Sequence, residues 1–200
     1  MQENEVLKAI RDRISIFRFQ EDPISDEQLE TILEAGRWAP SYANSQPWTF
    51  IVVRDEDKRR ALEGLVQRIA LARRGNVGIT GPGMGDAPVV IAIVVDPWRD
   101  SKHYVEAGAL AAQNMALAAS SLGLATFWAG VYSTEGGRRS IEGNVQRILG
   151  VPKEMRVVAL LPVGVAAYNP QTRRRRDARI YLNSFVMRAS RAKHLVTVSL

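Results

Sequence analysis

The sequence of 200 residues contains no cysteine. This absence excludes a disulfide scaffold, a zinc–cysteine site, an iron–sulfur cluster and a thiol nucleophile. Long apolar runs are also missing: the purest one, Val89–Val95, has seven residues, whereas a membrane span needs about 20. The charged N-terminus lacks the apolar region of a secretory signal. We therefore expect a cytoplasmic protein without a membrane partner.

Several familiar motifs are absent as well. The sequence has no G-x-x-x-x-G-K-[ST] loop and no G-x-G-x-x-G fingerprint, which argues against a P-loop or Rossmann nucleotide site. Its two histidines, His103 and His194, are far apart, so no metal site is predicted. No Ser–His–acid arrangement is evident. We therefore assign no catalytic side chain and expect a bound cofactor to supply the chemistry.

The composition, with 46 % hydrophobic and 24 % charged residues, is that of a globular protein. Hydrophobic spacing, capping signals and turn residues predict one mixed α/β domain over residues 1–200. Pro162 predicts an edge or bulge position for the last strand. The predicted helices cover about 3–11, 25–39, 58–73, 102–122 and 138–149, and the main strands cover 49–53, 89–95, 124–129 and 157–165.

The net charge of +6 favours an anionic partner. The positive charge is most concentrated in the run Arg173–Arg176, for which phosphate is the obvious ligand. The alternative is a solvated basic loop. Nucleic acid is a weaker option, because no aromatic residues interleave with the arginines and no binding motif accompanies them.

A second basic segment lies near the N-terminus, at residues 13–19. In an extended chain Arg13 and Ser15 point to one side, and Ile14 and Ile16 to the other. A guanidinium and a hydroxyl at this spacing are both able to reach one phosphate. The alternative is a half-buried strand with incidental polar residues.

A polar loop lies between a predicted helix and a predicted strand, at residues 39–48. Two prolines, Pro40 and Pro47, stiffen it, and it presents backbone groups together with Ser41, Asn44 and Gln46. Such an array suits a planar heterocycle with alternating donors and acceptors. The alternative is a rigid turn whose two flanking tryptophans pack in the core.

Together these segments resemble the nitroreductase family of FMN enzymes. Residues 13–19 are similar to the family's opening pattern R-R-S-x-R-x-F, and residues 39–48 match its A-P-S-x-x-N-x-Q-P-W pattern throughout. The resemblance covers about residues 5–182 and leaves a tail at 183–200. Supporting similarities are Asp86-Ala87-Pro88, Gln113-Asn114, Gly123-Leu124, Trp128-Ala129-Gly130 and Gly150-Val151-Pro152.

The resemblance implies an α+β sandwich-like domain in which helices flank a mainly antiparallel sheet. It also implies an intertwined homodimer with FMN at the interface. Arg13 and Ser15 would then meet the FMN phosphate together with Arg173 or Arg175. From the other subunit, Pro40, Ser41 and Asn44 would lie against the flavin. The backbone of Ala129 and Gly130 would approach the ring.

Two positions depart from the family pattern: Ile14 replaces a usually basic residue, and Phe17 replaces a usual Arg or Lys. In the family, the residue at the second of these positions approaches the pyrimidine edge of the flavin, where negative charge collects on reduction. Thr80 is a candidate substitute donor. We hypothesise that the flavin here has a lower reduction potential than in typical relatives. The glycine-rich stretch Gly75–Gly85 either shapes the acceptor pocket or is a flexible connector.

The resemblance implies an FMN-dependent oxidoreductase that takes hydride from NAD(P)H. A small-molecule acceptor, such as a nitroaromatic compound or a quinone, is then reduced in a ping-pong cycle. One alternative keeps the fold with another flavin chemistry, that of a dehydrogenase, a dehalogenase or a flavin-modifying enzyme. A second alternative, supported only by charge, is a basic nucleic-acid-binding domain.

Overall fold

The computed structural model describes residues 4–72, 83–134, 137, 140–169 and 175–176, with residues 68–72 described by their backbone only. The chain divides into two units, Met1–Pro170 and Gln171–Leu200. The elements of the first unit, in chain order, are α1 (Glu5–Asp12), α2 (Asp26–Arg37), β1 (Trp48–Val53), α3 (Glu56–Ala72), β2 (Val89–Val95), α4 (Tyr104–Ser121), β3 (Ala125–Thr126), β4 (Ala129–Gly130), α5 (Ile141–Leu149) and β5 (Arg156–Gly164). The prediction of a single domain with a tail from residue 183 stays a prediction.

Local signals explain where the helices begin and end. Ser25 and Gln28 form the predicted capping box of α2, each side chain bonding the other's backbone N–H. Ser140 caps α5, which therefore begins three residues later than predicted, at Ile141. Gly123 and Gly150, which follow α4 and α5, have φ of 75° and 69°, the left-handed conformation that glycine adopts at low cost.

The sheet has the strand order β1-β2-β5-β3, with β4 also paired to β5, and every pairing between these strands is antiparallel. The strand expected over 124–129 is divided into the short strands β3 and β4. An α+β fold with a mainly antiparallel sheet is thus confirmed.

The prediction that Pro162 marks an edge or a bulge is wrong. Pro162 lies in β5, inside the sheet, opposite Val90 of β2. The irregularity in that ladder falls between Ile93 and Val94 instead. On the other side of β5 the ladder is interrupted between β3 and β4, opposite residues 161–162. This interruption accommodates a residue that has no N–H to donate.

Two apolar layers cover the sheet, one on each face. Val90, Ala92 and Val94 of β2 pack in one cluster with residues of α3 and α5. The alternate β2 residues pack in a second cluster with residues of α2 and α4. The unbroken apolar run of β2 follows from this position, since both of its faces are buried. Within the described residues, no helix is long and apolar enough to cross a membrane.

Candidate functional site

The segment after α1 is held between two parts of the sheet. The N–H of Ile16 donates to the carbonyl of Thr126 in β3 at 3.0 Å. Further along, the N–H of Gln20 donates to the carbonyl of Val165 at 2.9 Å, just beyond β5. The structure therefore fixes the N-terminal motif against the segment that carries Ala129 and Gly130.

Arg13 and Ser15 occupy different surroundings within this segment. Arg13 is the C-cap residue of α1 and lines a groove of about 220 Å³ together with the end of α4 and β3. Ser15 is exposed and does not line the groove, whereas Ile14 and Ile16 do. The sequence predicted Arg13 and Ser15 on one side of the chain and Ile14 and Ile16 on the other. In the structure only Ser15 is separated from the two isoleucines, because Arg13 is still part of the end of α1. Neither polar side chain has a hydrogen-bond partner among the described residues.

The predicted loop at 39–48 is strained and internally braced. Ala43, Asn44 and Gln46 have φ of 48°, 56° and 45°, a region that costs about 1–2 kcal/mol for a residue with a side chain. The Ser41 hydroxyl accepts from the N–H of Gln46 at 3.0 Å, and the Asn44 amide oxygen accepts from the Gln46 side chain at 3.0 Å. Ser41 and Asn44 thus hold the loop's shape, while Pro40 and Asn44 remain exposed.

A buried carboxylate anchors this loop to the start of α4. Asp100, 5 % exposed, accepts from the N–H groups of His103 and Lys102 at 2.8 and 3.1 Å, and from the Ser45 hydroxyl at 3.5 Å. The bond from the His103 N–H is the main cause that lowers the pKa of Asp100. Sequence reasoning missed this anchor, although an aspartate just before a predicted helix is a capping signal.

The backbone around Gly130 is bare on one side. Gly130 is exposed, and a Cβ added to it would lie 2.9 Å from Nε1 of Trp128. A side chain at this position would therefore disturb the Trp128 ring. Ala129, by contrast, is buried against the core. Bare backbone beside an aromatic ring is the kind of surface on which a planar ligand packs closely.

Phe17 lies at the place where the family has a cation. Its ring is 4.9 Å from that of Phe127, centroid to centroid, and its carbonyl accepts from the N–H of Gly83 at 2.6 Å. A Cβ at Gly83 would lie 2.8 Å from a carboxylate oxygen of Asp86 and 2.9 Å from the Phe17 carbonyl oxygen. A carboxylate oxygen of Asp86 therefore lies beside the point where Gly83 meets Phe17. Burial, reinforced by Asp86, raises the pKa of the neighbouring Glu63.

The two predicted site regions lie at opposite ends of the sheet. The loop at 39–48 leads into Trp48, which pairs with Val95 at one end of β2. At the other end Val89 pairs with Val163, which in turn pairs with Thr126, the partner of Ser15. Seven residues of strand separate these ends, which is about 20 Å. One chain therefore does not bring its own loop to its own N-terminal motif.

Thr80 and Arg173 lie outside the described residues. Arg175 is exposed and belongs to the second unit. Near the end of the first unit, the hydroxyl of Tyr168 lies 3.5 Å from the N–H of Phe17. Among the described residues, no group of three or more His, Asp or Glu side chains is placed to hold a metal ion.

An ion pair between the buried Glu142 and the partly exposed Arg156, which no sequence pattern predicted, bonds to the end of the 129–133 segment. Glu142 is 2 % exposed, and both of its oxygens accept from the Arg156 guanidinium at 2.8 Å. These bonds raise the pKa of Arg156. Arg156 also lies 4.5 Å from the centre of the Tyr132 ring. The Tyr132 hydroxyl is 3.2 Å from that of Tyr104, and this bond is the main cause that raises the pKa of Tyr104.

Comparison with known proteins places these features in one family. The model of the Nitroreductase family matches residues 10–165, and the chain belongs to that family. A Methanothermobacter thermautotrophicus protein named "Putative NADH dehydrogenase/NAD(P)H nitroreductase" is 34 % identical over 84 % of this chain and 81 % of its own length. FMN reductase [NAD(P)H] of Bacillus subtilis is 39 % identical over a shorter stretch, 31 % of this chain and 25 % of its own length.

Solved structures agree on the fold. A crystal structure from Parabacteroides distasonis, also titled a putative NADH dehydrogenase/NAD(P)H nitroreductase, has a TM-score of 0.76 and 25 % identity, covering 92 % of this chain and all of that one. An FMN-dependent nitroreductase of Clostridium difficile has the same TM-score at 24 % identity, covering 90 % of this chain and 99 % of its own. The family resemblance predicted from residues 13–19 and 39–48 is confirmed.

Proposed function

We propose that this chain is an FMN-dependent oxidoreductase that takes hydride from NAD(P)H and passes it to a small-molecule acceptor, a nitroaromatic compound or a quinone. Membership of the Nitroreductase family makes it an NAD(P)H oxidoreductase with FMN as cofactor. The acceptor, the homodimer, the cytoplasmic location and the residue roles are our proposals. These proposals rest on the contact of the N-terminal motif with the 125–130 segment, in which the N–H of Ile16 donates to the carbonyl of Thr126.

The donor groups present fit the phosphate end of FMN. Arg13 and Ser15 are cation and hydroxyl donors without partners among the described residues, as a phosphate requires. The family resemblance assigns an arginine at 173 or 175 to the same phosphate. We assign Arg13, Ser15 and Arg173 or Arg175 to this end.

The flat part of the cofactor would lie against the backbone of Ala129 and Gly130, of which only Gly130 is exposed. Phe17 and Thr80 complete this side of the proposed site, with Phe17 in place of the cation that the family carries. The remaining face would be covered by Pro40, Ser41 and Asn44 of a second copy, because this loop lies at the far end of the sheet in its own chain.

Exposed apolar side chains support a second copy. Trp38 is 78 % exposed and Tyr42 64 %, both beside or within the loop at 39–48. On α1, Val6 and Ile10 are exposed as well. Burying such groups against another chain is favourable, at about 25 cal/mol per Å² of apolar surface. The closed symmetry of a homodimer would complete two equivalent sites.

The chain's own part in the reaction is positioning. FMN, when bound, supplies hydride acceptance and hydride transfer. Arg13, Ser15 and the C-terminal arginines would hold the phosphate, and the bare backbone at Gly130 would leave room for a second ring to stack. NAD(P)H and the acceptor would use that space in turn, which gives ping-pong kinetics. No protein nucleophile is required.

The purified protein tests this proposal directly. We expect a yellow protein with a flavin absorption band, release of FMN on denaturation, and bleaching of the band by NADH or NADPH in a stopped-flow experiment. Addition of a nitroaromatic compound or a quinone should restore the band. A colourless protein that takes up no added FMN, and that instead shifts nucleic acid in a salt-dependent gel assay, would contradict the proposal.

A further inference from the structure

The segment that follows Gly130 is held at one residue by the ion pair of the buried Glu142 with the partly exposed Arg156. The N–H of Ser133 donates to Glu142 at 3.0 Å, and its carbonyl accepts from Nη2 of Arg156 at 2.7 Å. Both backbone polar groups of Ser133 are therefore held by charged partners. The N–H of Val157 donates to the other oxygen of Glu142 at 3.0 Å, which ties the pair to the start of β5.

Glu142 is fully satisfied by these bonds. It accepts two from Arg156, one from Ser133 and one from Val157, with its side chain 2 % exposed. Burying the Glu142 carboxylate costs free energy of desolvation, and its attraction to the partly exposed Arg156 offsets that cost only in part. A fully bonded ion pair does, however, select a single backbone geometry.

We propose that Glu142 and Arg156 are positioning residues that set the backbone of the 129–133 segment, and through it the surface offered to the flavin at Gly130. This inference rests on the proposed function. The segment continues from β4 through Val131 and Tyr132, whose N–H groups point to the carbonyl of Val158 at 3.2 and 3.4 Å. The ion pair holds the far end, so Gly130 lies three residues from a fixed point.

Arg156 acts here through its shape as well as its charge. Its guanidinium bridges the Glu142 carboxylate and the Ser133 carbonyl while it lies over the Tyr132 ring. A lysine keeps the charge beside Glu142 but lacks the planar fork that makes these bonds together. The variant Arg156→Lys therefore separates positioning from simple charge neutralisation.

The test compares Arg156→Lys and Glu142→Gln with the unmodified protein and with Leu62→Ala. Leu62 lies on α3 and is fully buried, so its replacement lowers stability without touching the ion pair. Two measurements are made on the full chain: hydrogen exchange of the amides at 131–133 without added FMN, and stopped-flow reduction of the FMN-loaded protein by NAD(P)H.

We expect both ion-pair variants to exchange these amides faster. Their limiting rate of flavin reduction should fall roughly 10- to 100-fold, as for a displaced reaction geometry, with little change in the half-saturating NAD(P)H concentration. Leu62→Ala should show neither the local exchange effect nor the fall in limiting rate. If Glu142→Gln does not fold, Arg156→Lys carries the test.

Four outcomes overturn the inference while leaving the proposed function intact. They are unchanged exchange at 131–133, faster exchange with an unchanged limiting rate, an equal fall in rate for Leu62→Ala, and full activity of Arg156→Lys, which would show that charge alone is sufficient. An unmodified protein that takes up no FMN overturns the proposed function and this inference together.

Discussion

The ring of Phe17 packs on that of Phe127, with centroids 4.9 Å apart and planes inclined at 44°. This contact places an apolar side chain where relatives with the R-R-S-x-R-x-F pattern carry a cation. It also explains why the departure is tolerated: the ring joins the core cluster instead of leaving a gap. If position 17 faces the flavin as the family resemblance implies, a cation that would stabilise the reduced flavin is replaced here by an apolar ring.

Restoring a cation at this position should raise the reduction potential of bound FMN. In Phe17→Arg the positive charge would stabilise the negative charge that collects at the pyrimidine edge on reduction. The matched control is Phe17→Leu, which loses the ring contact but adds no charge. Redox titration should show a higher potential for Phe17→Arg than for both Phe17→Leu and the unmodified protein. Equal potentials for all three would remove the electrostatic explanation.

Loss of the Arg13 guanidinium should weaken FMN retention. One charged hydrogen bond contributes roughly 1.5–3 kcal/mol, so Arg13→Ala should lose FMN on dialysis under conditions in which the unmodified protein keeps it. Arg147→Ala, an exposed arginine on α5, controls for the change in net charge. Flavin content measured by absorbance after dialysis decides the matter, and equal retention in both variants would count against the role of Arg13.

Replacing two helical glycines by alanine should change the free energy of unfolding in opposite directions. A Cβ at Gly36 would lie 2.2 Å from Cε of Met115, so Gly36→Ala should displace this fully buried side chain between α2 and α4 and lower the free energy of unfolding by about 1–3 kcal/mol. At Gly64 of α3 a Cβ meets nothing within 4 Å, so Gly64→Ala should add about 0.5–1 kcal/mol. Urea unfolding measures both. Similar effects at the two sites would show that α2 does not pack on α4 as closely as described.

The raised pKa of Glu63 gives a pH-dependent stability. Because burial disfavours its ionised form, the folded state binds the proton more tightly than the unfolded chain does. Ionisation of Glu63 therefore lowers the free energy of unfolding as the pH rises above the pKa of a glutamate in the unfolded chain and through the higher pKa of Glu63 in the folded state. Glu63→Gln should raise the melting temperature at pH 7 and not at pH 4, whereas Glu30→Gln, at an exposed position on α2, should show no such difference. A benefit of Glu63→Gln that is the same at both pH values would contradict this account.

Local features were readable from the sequence because neighbouring residues cause them. The Ser25–Gln28 capping box, the buried run of β2 and the left-handed glycine after α5 all follow from contacts a few residues apart. The A-P-S-x-x-N-x-Q-P-W pattern, taken together with the two arginine-bearing segments, predicted the family.

Other features depend on contacts between residues that are distant in the sequence, which no local pattern predicts. Glu142 and Arg156 are fourteen residues apart, and each alone is typical of an exposed charge. Pro162 was expected at an edge or a bulge because proline has no N–H to donate to a neighbouring strand. It lies inside the sheet instead, opposite the gap between β3 and β4, where no partner strand pairs with it on that side. The sequence also predicted that Ser41 and Asn44 face a ligand, whereas part of their bonding capacity braces their own loop.

In the proposed dimer, each FMN site takes its phosphate donors from one chain and its covering loop from the other. Mixed dimers of two defective chains measure this directly. One chain carries Arg13→Ala with Ser15→Ala, and the other carries Asn44→Val, which places a β-branched residue at a φ of 56°. Each chain alone should retain little FMN.

In the mixed dimer, one site would receive both defects and the other would receive neither. Purified through a different tag on each chain, the mixed dimer should therefore regain roughly half of the FMN content of the unmodified dimer, as two-fold symmetry requires. A mixed dimer that holds no more FMN than its defective parents would show that each site is built from a single chain, and would contradict the claim.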